Sequence, residues 1–513
     1  MPSATSIEPA AKPPELTPAR RYVILSMVVL SVTLYGTSIL IGAAVLPQIQ
    51  GSLSATPDEI SWTVTFNILA TAVATPLSGW LAGRMGRRNL MAGSVAIFAV
   101  STYFCGAATS LEALIFWRIV QGAAGAPLSP IGQTIALDIF PKHQHSICIG
   151  LFGIGVVMGA FIGPMIGGVM AELYTWRYAY YLIVPVAAIA SIGVMLTLPR
   201  MRNAAAVKLE WTGFLLLTVT IACTQLALSR GQRLDWFQST EILIEIFLAA
   251  LTLYLFVVHS LTHDKPFLNL RLLVNRNYSI GLILVTIYGM LNFTPMVILP
   301  GLLREHVGLP DSLIGYVVGS RGVGAMIGFF TAMFIGQKFP KQSIALGFTF
   351  QVIAGLWLMT INLETAPIIF VLNGIVQGLA VGTIWVPLTV VTFSSLDPKD
   401  FDETSSVYHL LRNIGSSFFI SMSVTEIIRS TATNYERLTE NISNFNPILR
   451  MPWAMGEWDM GTVKGLEQLS REIAHQASLI SYINAFGLYT IASAAAIPLI
   501  LFISRPAAET GKN

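Results

Sequence analysis

The chain has 513 residues, of which 54% are hydrophobic and only 11% charged, and its formal net charge is +3. Soluble globular proteins carry roughly 25% charged residues. A water-facing surface cannot be built from so few, so a soluble enzyme is excluded, nothing favours a nucleic-acid partner, and the surface is expected to face a lipid bilayer.

In chain order, residues 1–20 are Pro-rich, lack an apolar core and read as a disordered cytoplasmic tail rather than a signal peptide. A bilayer span takes about 20 mostly apolar residues. Fourteen stretches qualify: 22–46, 60–82, 90–109, 113–137, 146–170, 178–198, 211–229, 241–261, 277–300, 313–335, 342–361, 366–393, 404–428 and 479–503. The expected fold is an all-α membrane protein with a six-span unit in 21–198, two inserted spans in 199–270 and a second six-span unit in 271–503. A long external loop, 429–478, belongs to the last unit, and 504–513 forms a second tail. Within the loop, Thr462 to Gln476 reads as an amphipathic helix with Val463, Leu466, Leu469 and Ile473 on one face.

Eighteen basic residues fall in the two tails and the short loops of one side, against four (Arg177, Arg230, Arg233 and Arg304) in the short loops of the other. By the positive-inside rule both ends are expected in the cytoplasm. An internal repeat supports two parallel halves. Arg118-Ile-Val-Gln-Gly122 returns as Gly374-Ile-Val-Gln-Gly378, and Leu81–Arg88 returns more weakly as Phe334–Lys341. Repeats of this kind place a central site that is exposed to each side in turn.

At these residues the chain resembles the fourteen-span drug:proton antiporters of the major facilitator superfamily, the EmrB/QacA group. Gly79-Trp-Leu-Ala-Gly-Arg-Met-Gly-Arg-Arg88 is similar to the family's G-x-L-a-D-R-x-G-R-[KR] loop. Arg118-Ile-Val-Gln-Gly-Ala-Ala-Gly125 is similar to R-x-x-Q-G-x-x-G, and Gly159-Ala-Phe-Ile-Gly-Pro-Met-Ile-Gly-Gly168 to the antiporter signature. Two positions depart from the pattern: Tyr35 replaces the usual acid of the first span, and Gly83 replaces the acid of the loop motif. The resemblance implies proton-coupled export across a bacterial inner membrane, with a periplasmic adaptor and an outer-membrane channel as partners. It also implies that Arg118 relays coupling between proton and substrate.

Charges inside spans are expensive and normally face the protein interior or a water path. Arg118, Arg321 and Arg412 are therefore expected to pair within the bundle or to line a cavity that attracts anions. Glu426, near the external end of its span, is a proton-entry candidate or an ordinary interface residue. His409, one turn from Arg412, reads as a core histidine. Tyr35, Asn67, Asn292 and Gln377 could line the same cavity with Trp117, Phe293 and Trp385, or serve as helix-to-helix hydrogen bonds. Asp138 is expected to tie Arg84, Arg87 and Arg88 into a charge network at the inner face that, with Gly79 and Gly86 of the same loop motif, serves as a gate. Gly159, Gly163, Pro164, Gly167 and Gly168 form a small-residue ribbon suited to close helix packing and hinging. Cys105, Cys148 and Cys223 lie in or beside apolar runs, and the seven histidines are scattered, so no disulfide, metal or cofactor is expected.

No nucleotide-binding motif appears, so the expected energy source is an ion gradient. Three functions remain open on the residues alone: a proton-coupled exporter of hydrophobic or amphiphilic drugs, an exporter of one anionic metabolite or siderophore, and a non-transporting membrane receptor or scaffold. No paired acids or nucleophile–base spacing favours an enzyme.

Overall fold

The computed structural model describes residues 17–199, 208–440, 442–443, 445–452 and 458–503. The expected tails thus fall almost wholly outside the described residues, as do Arg200, Arg202 and Asn444. Every regular element among the described residues is helical. The first set comprises α1 (Pro18–Ala44), α2 (Leu46–Leu53), α3 (Pro57–Ala74), α4 (Leu77–Met85), α5 (Arg87–Ala107), α6 (Leu111–Gly125), α7 (Leu128–Ile139), α8 (His145–Leu173) and α9 (Trp176–Thr197). Two further helices follow, α10 (Trp211–Arg230) and α11 (Thr240–Thr262). The last set is α12 (Arg276–Glu305), α13 (Asp311–Lys338), α14 (Pro340–Leu358), α15 (Pro367–Phe393), α16 (Phe401–Thr439) and α17 (Val463–Leu499).

Ten of the described helices (α1, α5, α8 to α13, α15 and α17) are long and apolar enough to cross a membrane, and up to eleven if the bent pair α3/α4 is one span. This is fewer than the fourteen expected, for identifiable reasons. The stretch 113–137 is split into α6 and α7 at Ala126-Pro127, where proline lacks the N–H a continuous helix needs. Pro76 breaks α3 from α4 in the same way, with a 59° bend. Helix α14 has 19 residues and opens on Pro-Lys-Gln-Ser, and α16 carries Asp402, Glu403, Arg412 and Glu426.

The two sets repeat one pairing pattern. In the first, α1 packs on α8, α3 on α6, and α5 on both α6 and α9; in the last, α12 packs on α16, α13 on α15, and α14 on both α15 and α17. The sequence repeat has its counterpart in packing. Gly122 lies against the Asn67 carbonyl and Gly378 against the Arg321 carbonyl, each glycine letting two backbones touch. The sets meet along two seams, α8 with α13 and α4/α7 with α16. Helix α10 leans on α3 and α16 together, over a small cluster of Ala72, Leu217, Ile221, Phe256, Leu268 and Leu410. Helix α11 lies outside it, with only 11% of its apolar window buried.

The expected 429–478 loop is much shorter than the sequence implied. Helix α16 has 39 residues, about 58 Å at 1.5 Å per residue, well beyond the ~30 Å hydrocarbon core. Helix α17 begins at Val463 without a break, so the helix expected over 462–476 is continuous with the last span. The expected apolar face holds only in part: Leu469 and Ile473 are buried, Leu466 is exposed and Val463 is 86% exposed. The protruding ends are joined by Tyr435 Oη with Ser470 Oγ at 3.0 Å and by Asn434 Nδ2 donating to Ser481 Oγ at 3.3 Å.

Candidate functional site

Three arginines reach into the middle of the helix assembly. Arg118, two turns into α6, is fully buried. Its Nη1 donates to Gln121 Oε1 at 2.9 Å and to the Ser38 carbonyl at 3.5 Å, and the guanidinium lies 5.3 Å from the Tyr180 ring. Room for it comes from Gly42, where any Cβ would overlap the guanidinium. Arg321 on α13 is buried and donates to the carbonyl of Asn292 and, at 3.1 Å, to Asn292 Oδ1. Arg412 on α16 is half-buried; it donates to Asn413 Oδ1 at 3.1 Å and lies 5.3 Å from the Trp385 ring. Tyr288 stands within electrostatic reach of both Arg321 and Arg412, and Tyr35 on α1 faces Arg412 from the other set.

None of the three arginines has a carboxylate partner among the described residues. Their acceptors are amides, carbonyls and aromatic faces. The Nε atoms of Arg118 and Arg321 are buried with no acceptor at all. Burying a cation without a counter-charge costs several kcal/mol even after relaxation, so Arg118 and Arg321 are held at these positions against a cost.

The polar residues expected beside them divide. Tyr35 Oη meets Thr71 Oγ1 at 2.8 Å, and Thr71 in turn donates to the carbonyls of Asn67 and Gly122. Asn67 Nδ2 donates to the Arg118 carbonyl at 2.8 Å, and Gln377 Nε2 to Asn373 Oδ1 at 2.7 Å; both act as ties between or along helices. Asn292 holds Arg321 directly. Trp385 belongs to the centre, whereas Trp117 stacks on Phe104 at 4.3 Å and abuts Phe116, both exposed on the outside. Trp117 is therefore not a cavity residue. Phe293 is half-buried and Glu426 is half-buried away from the arginines. His409 is buried, and its Nε2 meets Gln133 Oε1 on α7 at 2.8 Å, so this core histidine joins the two sets.

A second constellation closes one face. Gly86 turns the chain from α4 into α5 with φ 79°, a conformation that glycine adopts at little cost. Arg87 then starts α5. It pairs with Asp138 on α7 and, through Nε at 2.9 Å, with both oxygens of Asp402 on α16. Sequence reasoning found Arg87 and Asp138 but not Asp402, which lies in the other set with no motif around it. Arg84 lies 5.4 Å from the Trp80 ring, and Arg88 Nε is buried without an acceptor. Gly83 has open space around it. Around the lock, Gly79 packs on the backbone of Asp402 and Glu403, and Ser405 Oγ donates to the Pro130 carbonyl at 3.0 Å.

The glycine ribbon of α8 faces its own set. Gly159 and Gly163 lie against the Thr33 and Thr37 carbonyls of α1, Gly167 is buried, and Gly168 meets nothing. Pro164 is within α8, but its ring lies outside the described residues. The seam with α13 uses other residues, Gly150 against Met333, Gly153 against Phe329, and Phe161 over Gly319 and Gly322.

Residues 27–282 and 281–425 match the Major Facilitator Superfamily. The chain belongs to that superfamily. It is a multi-pass membrane protein and a secondary transporter, not an enzyme. Among its relatives in the superfamily, the multidrug export protein EmrB of Escherichia coli (strain K12) is 28% identical over 446 residues, covering 85% of this chain and 86% of that protein. The fatty acid resistance protein FarB of Neisseria gonorrhoeae is 26% identical over 473 residues, covering 91% and 92%. The crystal structure of the human organic anion transporter MFSD10 superposes with a TM-score of 0.60 at 14% identity, covering 93% of this chain and all of that one. At that identity the likeness shows the superfamily fold alone.

Proposed function

We propose that the chain is a proton-coupled exporter of amphiphilic compounds, and that its preferred substrates carry an anionic head on an aromatic or aliphatic body. The observation that carries this reading is the set Arg118, Arg321 and Arg412, central and without a carboxylate partner among the described residues. An anionic head would offset the cost of those charges, and Trp385, Tyr288 and Tyr35 would take the apolar body. The relatives EmrB and FarB, named for multidrug export and for fatty acid resistance, fit such a substrate class. Proton coupling rests on the antiporter-like motifs and on the absence of a nucleotide motif in the sequence.

The same reading counts α6/α7, α14 and α16 as spans beside the eleven, giving two six-span halves, two inserted spans, fourteen in all and both ends in the cytoplasm of a bacterium. The Arg87 face is then the cytoplasmic one, and it is closed. The protruding ends of α16 and α17 would be the docking place for a periplasmic adaptor leading to an outer-membrane channel.

Proteoliposomes with an imposed pH gradient test the proposal. Medium-chain fatty acids or aromatic carboxylates should drive proton flux, and Arg321→Gln and Arg412→Gln should each lower it at least about tenfold, the loss of one charge-assisted contact. Flux with lipophilic cations but none with carboxylates would overturn the anionic preference and leave broad cationic drug export as the better reading.

A further inference from the structure

The histidines look scattered along the chain, but His259-x-x-x-His263 spans one helical turn at the end of α11. The fold sets Glu210, the residue that caps α10, against both. One ligand atom from each of the three side chains lies within 4.8 Å of the other two. His259 Nε2 stands 3.2 Å from Glu210 Oε1, and the two imidazole centroids are 5.1 Å apart.

We propose that Glu210, His259 and His263 bind one divalent transition-metal ion of the zinc class.

The donor set suits it. Two imidazole nitrogens and one carboxylate oxygen favour zinc, nickel or copper ions over magnesium or calcium, which prefer oxygen ligands alone. Three protein ligands leave a fourth position for water, as in other three-ligand zinc sites. The carboxylate is already oriented, because Glu210 accepts from the Thr212 amide at 2.9 Å and the Gly213 amide at 2.7 Å. Backbone partners of this kind hold a ligating group in place from behind.

The proton accounting is simple. The ion would sit between His259 Nε2, which is buried without a hydrogen-bond partner, and Glu210 Oε1, 3.2 Å away. At His263 it replaces the 3.3 Å contact from the Lys265 amide to Nδ1. If Nδ1 binds, the metal displaces the amide; if Nε2 binds, its proton moves to Nδ1 and the contact is lost as well. His263 is exposed and His259 half-buried, so the ion enters from water without disturbing the helices. Once bound, it ties the start of α10 to the end of α11.

The test is calorimetric titration of Zn2+ into the full chain, freed of any affinity tag and held in lipid nanodiscs, with the absorption of bound Co2+ as a second readout of coordination. One Zn2+ per chain is expected, not displaced by excess Mg2+. His263→Ala should weaken it at least about tenfold, since losing even an outer partner costs ~10–100-fold. Glu210→Gln should weaken it too, and the pair His259→Ala with His263→Ala should abolish it. His475→Ala, which removes one ring of the other close histidine pair, His306 and His475 with centroids 4.5 Å apart, should change nothing. The proposal is overturned if the wild-type chain takes up no Zn2+, if uptake survives the double substitution, or if His475→Ala removes it. Exposed His263 makes its variant a sound folding control, checked by unchanged thermal unfolding without metal.

Discussion

Arg87 stands at the first position of α5, where the positive end of the helix dipole disfavours a cation. Asp138 and Asp402 compensate, and because Asp402 comes from the other set this contact also ties the two sets together. Burial raises the Asp402 carboxyl above the ordinary aspartate range, only partly opposed by Arg87. In an open arrangement Asp402 would meet water and return to its usual value. The closed form therefore binds the proton more tightly. Falling pH through the carboxylate range should favour closure, and rising pH through the raised value should weaken it. Spin labels at Asn89 and Lys399 would read this as a distance that shortens on acidification. Asp402→Asn, neutral throughout, should flatten the response; an equal slope in both proteins would sink the assignment. At the same scale, Arg118, Arg321 and Arg412 show what one residue type can and cannot announce. Each was visible as a charge in an apolar run. Their lack of carboxylate partners was not, since that depends on side chains from α1, α12, α15 and α16 meeting in space.

At the scale of elements, helix existence was legible because apolar runs of span length leave the backbone few alternatives. Breaks were less so. Pro76 and Pro127 each divide a span, yet Pro185, Pro387 and the pair Pro295 and Pro300 sit inside unbroken helices; neighbouring helices decide which prolines interrupt. The α8 glycines behave similarly. Their spacing promised close packing, and Gly159 delivers it against α1, while Gly168 faces open space. Gly159→Leu should force the two backbones apart and cost about 1–3 kcal/mol, seen as a lower melting temperature in detergent. Gly168→Leu should leave melting unchanged. Equal effects from the two would mean that the ribbon acts as a whole rather than through the α1 contact. The 462–476 stretch is helical as expected, but its periodicity marks a buried stripe without saying that the helix runs on into the last span.

For the whole molecule, the repeated pairing of the two sets follows from a repeat that only a few residues preserve in sequence, Gly122 and Gly378 above all. The proposed topology puts the two ends of α10 and α11 on opposite sides of the membrane. Cysteines at Phe237, which is exposed beyond α10, and at Lys265, beyond α11, should react with impermeant reagents from opposite sides of right-side-out vesicles. Reaction of both from one side would break the alternation on which the fourteen-span reading depends. The expected orientation rests on loop charges alone and needs no fold. The Arg87–Asp402 contact, by contrast, needs two residues that the chain keeps hundreds of positions apart.

Helix α10 rests on α3 and α16 together, while the other seam, α8 against α13, has no helix laid across it. A lipid-dissolved molecule approaching from within a leaflet thus meets a caulked joint on one flank and a bare one on the other. The two seams therefore differ in what they turn toward lipid: one is covered by α10, the other is filled by Phe161, Phe329 and Met333, each packed on a glycine of the facing helix.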